Sequence, residues 1–147
     1  KWPNDVQAGG KKLAGVLIES DLSDEAAPMI LVGAGINVNF DPRRFDEIRD
    51  IATSLAVELG HVVDRETLLA SYLLHFERLY DGVKAGASAR DRWRERLITL
   101  GQRVTVTQPG GVTSGVAEDV DDGGALLVRT DDGALVTIEA GDVTLRA

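Results

Sequence analysis

Apolar positions along the chain follow two different grammars, and the change falls near residue 100. Before it, Leu13, Ala14, Gly15, Val16, Leu17 and Ile18 form an unbroken run that reads as a buried strand over Lys12 to Glu19, followed by a polar, acidic loop from Ser20 to Pro28. "MILVGAGINVNF", Met29 to Phe40, predicts a second strand. Its Gly33 and Gly35 stand two apart and so share a face, where a pair of glycines leaves room for something to approach the backbone. A charged connection, Asp41 to Asp50, leads into a short helix over Ile51 to Gly60. Asp64 then caps the clearest helix, in which Leu68, Leu69, Tyr72, Leu73, Phe76, Leu79 and Tyr80 recur at three- and four-residue spacing and Gly82 supplies a stop. A further helix, Ser88 to Leu100, turns Trp93, Leu97 and Leu100 inward and its arginines outward, and Gly101 ends it.

From Arg103 the pattern shortens to alternating runs: Arg103 to Thr107, Val112 to Glu118, Ala125 to Thr130, Ala134 to Glu139 and Val143 to Arg146. Pro-Gly-Gly, Asp-Asp-Gly-Gly, Asp-Asp-Gly and Ala-Gly-Asp turns separate them. Five short strands in so little chain predict a small barrel, and the boundary falls near Leu100, giving expected domains at 1–100 and 101–147.

Composition narrows the function. The 147 residues are 44% hydrophobic and 27% charged, as in a globular domain, and no apolar run approaches a bilayer span or a secretory signal. The net charge is −8, and residues 101–147 hold three basic and eight acidic side chains. Broad binding to nucleic acid phosphates is therefore not expected of this chain. The lack of cysteine removes disulfide and thiolate chemistry and fits a reducing, cytoplasmic setting.

Candidate chemistry gathers in "KWPNDVQAGGKKLAG". Asn4 and Asp5 can hold two polar side chains at a strand end, and Lys12, placed just before the apolar run, can offer a point charge to a carboxylate or phosphate. The alternative is a polar hairpin with solvated lysines. "GAGINVN" is not a dinucleotide fingerprint, since Val38 stands where a third glycine belongs and no helix opens at the second. It reads as a strand whose glycines admit a flat ligand, with Asn37 and Asn39 at its end, or as a strand bulge. His61 and His75 are isolated and read as structural, and the arginines of "ARDRWRERL" as a solvated face.

Taken in order, "KWPND", "KKLAGVLIE", "GAGINVNF" and "ATSL", then a long helix, a helix with a tryptophan and a small acidic β-domain, resemble the biotin protein ligase family over essentially the whole chain. The resemblance implies an α+β fold: part of a mixed-sheet, class II synthetase-like catalytic domain, followed by an SH3-like barrel that helps position ATP or the carrier. It also implies an ATP- and Mg2+-dependent activation of biotin to biotinyl-5′-AMP, and transfer to a lysine of a biotin carboxyl carrier domain. Lys12 would then lie between the biotin carboxyl group and the α-phosphate. Asp5 would face the carrier lysine or the metal, and Asn4 the phosphates or the metal. Lys1 matches the first lysine of its motif. Leu13, Ala14 and Gly15, with Gly33 and Gly35, would bring backbone close to biotin and adenylate. Asn37 would meet the adenine edge, and Ala52, Thr53 and Ser54 would wall the nucleotide.

In that family "KWPND" lies in mid-domain, so the chain is expected to be a C-terminal portion. The family's Gly-Arg-rich loop and Ser-Thr-Asn segment are not found in these residues. This portion alone is accordingly expected to be inactive and poorly stable. A lipoate–protein ligase-like acyl-adenylate enzyme and a non-enzymatic carrier-binding module are the alternatives. Homodimerisation through sheet edges is implied by the family, with no membrane contact.

Overall fold

The polar stretch from Asp5 to Lys12 folds back through Gly9 and Gly10, whose φ values of 54° and 79° are those of a two-residue type I′ turn. In the computed structural model, which describes residues 1–21, 23 and 29–145, this turn joins β1 (Asp5–Ala8) to β2 (Lys11–Asp21). β2 pairs in turn with β3 (Met29–Ile36), giving an antiparallel sheet in the order β1-β2-β3. The polar loop expected between the second and third of these falls mostly on residues 22 and 24–28, outside the described residues.

β3 ends four residues short of the expected Phe40 for a definite reason. The carbonyls of Asn37 and Val38 accept from Leu55 N (2.9 Å) and Ala56 N (2.8 Å), and so satisfy the orphan donors at the start of α1 (Leu55–Leu59). That helix is shorter than expected: Ser54 caps it by accepting from Val57 N at 3.3 Å, while Ile51 N and Ala52 N close a separate turn on Ile48 O. Asp64 accepts from Thr67 N (2.8 Å) ahead of α2 (Arg65–Lys84). α2 runs through Gly82 and stops only where Gly86, at φ 91°, allows Ala87 N to close back on Gly82 O at 2.9 Å. None of its residues is buried.

Two compact units divide the chain: Asn4–Leu73, just described, and Lys1–Pro3 with Leu74–Ala147, the division falling within α2. The second contains β4 (Arg103–Gln108), β5 (Gly111–Val120), β6 (Leu126–Thr130), β7 (Leu135–Ile138) and β8 (Asp142–Leu145), paired antiparallel in the order β7-β6-β5-β4-β8. Strict alternation buries Val104 and Val106 of β4 against Leu126, Val128 and Ile138. Trp2 fills the same core at 1% exposure; its backbone N donates to Thr99 Oγ1 and its indole Nε1 to Gly124 O, both at 2.9 Å.

The helix expected over Ser88 to Leu100 is only α3 (Arg90–Arg94). Leu97 and Thr99 must both face the core, and Thr99 must meet Trp2, so tertiary demands override helical propensity beyond Arg94. The arginines of this segment are not merely solvated. Arg90 donates through Nε to Asp121 O (2.9 Å) and through Nη2 to Val120 O (2.5 Å), and Arg94 pairs with Asp119, fastening α3 to the end of β5. The molecule is α+β, with two antiparallel sheets among the described residues.

Candidate functional site

Lys12 and Gly15 are three residues apart, which in a regular strand would put them on opposite faces. The ladder between β1 and β2 breaks that parity: Val6 pairs with Ala14 but Gln7 with Lys12, so Leu13 is an extra residue, a β-bulge. The bulge brings Lys12 onto the face shared by Asp5 and Gly15. Lys12 Nζ lies 2.6 Å from Asp5 Oδ1, the lysine side chain 51% exposed and the aspartate 16%. The ammonium is thus anchored on one side and open on the other.

The open side looks along a glycine-rich surface on which Leu17 carries the next side chain. Gly15 pairs with Gly35 and Leu17 with Gly33, so three glycines share one face, and a Cβ on Gly15 would lie 3.4 Å from both Cε and Nζ of Lys12. A shallow pocket of about 460 Å³ follows, lined by Lys12, the three glycines and Asn4 among others. Asn4 is fixed there by two bonds to Val16, accepting from its N and donating through Nδ2 to its O, each at 2.9 Å. A larger cavity of about 550 Å³ opens beside β3 under Leu68, Leu69 and Tyr72. It is lined by Asn37 and Arg65 but by no lysine or carboxylate.

A bulge interrupts its ladder, so the backbone of Lys12 needs other partners. It finds them in the segment before α1. Lys12 N donates to Ile51 O (2.8 Å) and Lys12 O accepts from Thr53 N (2.9 Å), a parallel bridge to Ala52. Asn37 Nδ2 donates to Thr53 O (3.0 Å) and reaches Lys12 O at 3.4 Å. Thr53, buried, donates its hydroxyl to Glu58 Oε1 at 2.5 Å.

The structure thus brings Asn4, Asp5, Lys12, Gly15, Gly33 and Gly35 to one face, with Asn37, Ala52, Thr53 and Ser54 behind Lys12. Lys1 belongs to the other compact unit. Leu13 is the bulged residue, and Ala14 points to the face opposite Gly15. The sequence reading missed the bulge, whose only trace is the odd spacing of two residues assigned to one site. Glu58 was missed as well, since it stands one place beyond the capping-box position after Ser54. Among the described residues no three His, Cys, Asp or Glu side chains could together hold a metal ion. One carboxylate beside one amide oxygen, Asp5 and Asn4, is the sparse set that magnesium uses when phosphates and water supply the rest, so these two fit a nucleotide-borne ion rather than an all-protein cage.

Comparison with known proteins matches two family models to separate parts of the chain. Residues 1–37 match the family model described as Biotin/lipoate A/B protein ligase family, and residues 99–146 match Biotin protein ligase C terminal domain. A Bacillus subtilis protein named bifunctional ligase/repressor BirA is 35% identical over 99% of this chain and 45% of its own length. A Mycobacterium tuberculosis biotin--[acetyl-CoA-carboxylase] ligase is 39% identical over 97% and 51% respectively. The chain therefore spans about half the length of these relatives. Among solved structures, biotin protein ligase from Aquifex aeolicus superposes with TM-score 0.81 at 32% identity in its apo form, covering 99% of this chain and 63% of that one. The same enzyme in complex with biotin and ATP gives 0.80 at 30% identity, covering 99% of this chain and 60% of that one.

Proposed function

The chain belongs to the biotin protein ligase family, and from that premise we propose that its glycine-lined sheet face binds biotinyl-5′-AMP, formed from biotin and ATP and passed to a lysine of a biotin carboxyl carrier domain. The observation that carries this reading is the placement of Lys12 Nζ beside Asp5 at the edge of a sheet face where Gly15, Gly33 and Gly35 meet. In the first step a biotin carboxylate oxygen attacks the α-phosphorus of ATP and pyrophosphate leaves. In the second a carrier amine attacks the acyl carbon, loses a proton, and AMP leaves. Negative charge stands between the acyl group and the α-phosphate in both, and a preorganised ammonium there stabilises it without reorganising at the moment of reaction.

Asp5 holds that ammonium in place and lies where an incoming amine would pass. Gly15, Gly33 and Gly35 let a bicyclic ring and an acyl-phosphate lie against the strands, which any Cβ at Gly15 would crowd. Asn37 has its nitrogen committed to Thr53 O and Lys12 O, so an adenine amino group would meet its oxygen end. Magnesium, when bound with the nucleotide, neutralises phosphate charge; Asp5 and Asn4 are the residues that would hold it. Residues 101–147 form the SH3-like part in this reading, with a boundary near Leu100. In this reading the protein works in the cytoplasm, in keeping with the absence of cysteine, and β3, an edge strand of its sheet, would pair in a homodimer.

The test is isothermal titration of a non-hydrolysable biotinyl-adenylate analogue into the chain, with Lys12→Ala and a lipoyl-adenylate analogue as controls. Saturable binding of the biotinyl compound that Lys12→Ala abolishes is the expected result. Preference for the lipoyl compound, or binding indifferent to Lys12, would overturn the assignment.

A further inference from the structure

Lys12 sits at a bulge, the one place in β2 where the β1 ladder gives no regular support, yet its main chain is held on both sides by the segment before α1. That segment is in turn fixed at Thr53. Its amide N–H bonds Lys12 O, its carbonyl accepts from Asn37, and its buried hydroxyl is taken by Glu58. Glu58 itself is exposed, lies in the first turn of α1 and touches none of the glycine face. A carboxylate accepting a hydroxyl bond is among the stronger neutral-donor contacts, and loss of the acceptor would leave a buried hydroxyl unpartnered, forcing Thr53 to turn or hydrate.

We propose that Glu58 is a positioning residue: acting through Thr53, it fixes the main chain on which Lys12 is mounted, and so sets where the ammonium meets the acyl-adenylate. The inference deepens the ligand reading of Lys12 and rests on it. Ser54 caps α1 independently, through Val57 N, so the helix does not need Glu58 for its start. What Glu58 adds is the orientation of the residue immediately before the cap.

Two measurements on the chain separate this from a general structural role. In amide hydrogen exchange, Glu58→Ala and Thr53→Val are each expected to raise the exchange rates of Lys12 and Thr53 by about tenfold or more, with β4 to β6 unchanged, and Glu58→Gln, which keeps an acceptor, to restore protection. The double variant Glu58→Ala/Thr53→Val is expected to be no worse than either single one, because both break the same bond. Titration of the biotinyl-adenylate analogue gives the second arm. Glu58→Ala is expected to weaken binding several-fold in the wild-type background and to have no effect when Lys12→Ala is already present.

Unchanged Lys12 exchange in Glu58→Ala would overturn the proposal, as would an affinity loss of the same size with or without Lys12. If the unaltered chain binds no analogue, the ligand reading fails while the exchange result still decides whether Glu58 holds Lys12. Exchange that responds with affinity that does not would refute the functional part alone and leave the ligase reading standing.

Discussion

The two compact units differ in what they bury. The cluster of buried hydrophobic side chains, from Trp2 and Leu97 to Val143, lies in the unit of Lys1–Pro3 and Leu74–Ala147. In Asn4–Leu73 the buried side chains are Pro42, Thr53 and Ser54, while Leu17, Ile18, Ile30 and Leu31 of β2 and β3 stand more than half exposed. One unit has a core and none of the residues assigned to the reaction except Lys1; the other has the reaction's residues and little core. The core and the residues of the proposed chemistry therefore fall in different parts of the sequence. The four exposed residues of β2 and β3 alternate along their strands, Leu17 and Leu31 on the glycine face and Ile18 and Ile30 on the other, so apolar side chains are exposed on both faces of the sheet.

The sharpest attack on that comparison is Trp2→Ala. It empties the largest side chain from the core and leaves Gly124 O without its indole donor, so a loss of about 3–5 kcal/mol is expected in urea unfolding followed by circular dichroism. A loss under about 1 kcal/mol would show that this unit does not depend on its buried tryptophan.

Gly15→Val sharpens the contrast from the other side. Its branched side chain would occupy the space beside Lys12 Nζ, and at least about a tenfold loss of adenylate-analogue affinity is expected, with the exchange of β4 to β6 amides unaltered. Equal binding by the variant would mean that the glycine face is not the ligand surface.

The smallest effect concerns acid. Arg94, bonding the side chain of Asp119, pulls its pKa from 3.8 down to about 2, helped by Val120 N. A carboxylate depressed on folding stabilises the folded state above its unfolded pKa, and that contribution drains away as pH falls from about 4 through about 2. With the Asp119 side chain 36% exposed the contribution is at most about 1 kcal/mol. Asp119→Asn is expected to flatten the corresponding part of the stability-against-pH curve while leaving ligand binding at neutral pH intact; an unchanged curve would remove Arg94–Asp119 from the account of the core unit.

Much of this was legible in the chain. Alternation located β4 to β8 to within a residue or two, and the spacing of Gly33 and Gly35 placed them on one face. What escaped depends on contacts remote in sequence. Nothing local says that Trp2 will meet Thr99, or that Leu97 and Thr99 will face a core and cut α3 short. Ile51 to Thr53 suit a helix by their apolar spacing, but Ile51 and Ala52 close a turn on Ile48, and Ala52 is held in a bridge by the otherwise unsupported backbone of Lys12. Gly115 drew no notice, yet a Cβ there would lie 2.2 Å from Arg129 O, so the pairing of β5 with β6 requires it.

The bulge at Leu13 has a consequence for anyone who would tidy this sheet. Strands count in twos, and the interval from Lys12 to Gly15 is three; the odd step is what lets an ammonium and a glycine-rich stretch of backbone look the same way. A perfectly regular β2, with each residue in one-to-one register, would have a better ladder and would turn its lysine toward the wrong side of the sheet. At this residue an ideal geometry and a working one are different structures, and the irregular strand is the one equipped to hold a ligand.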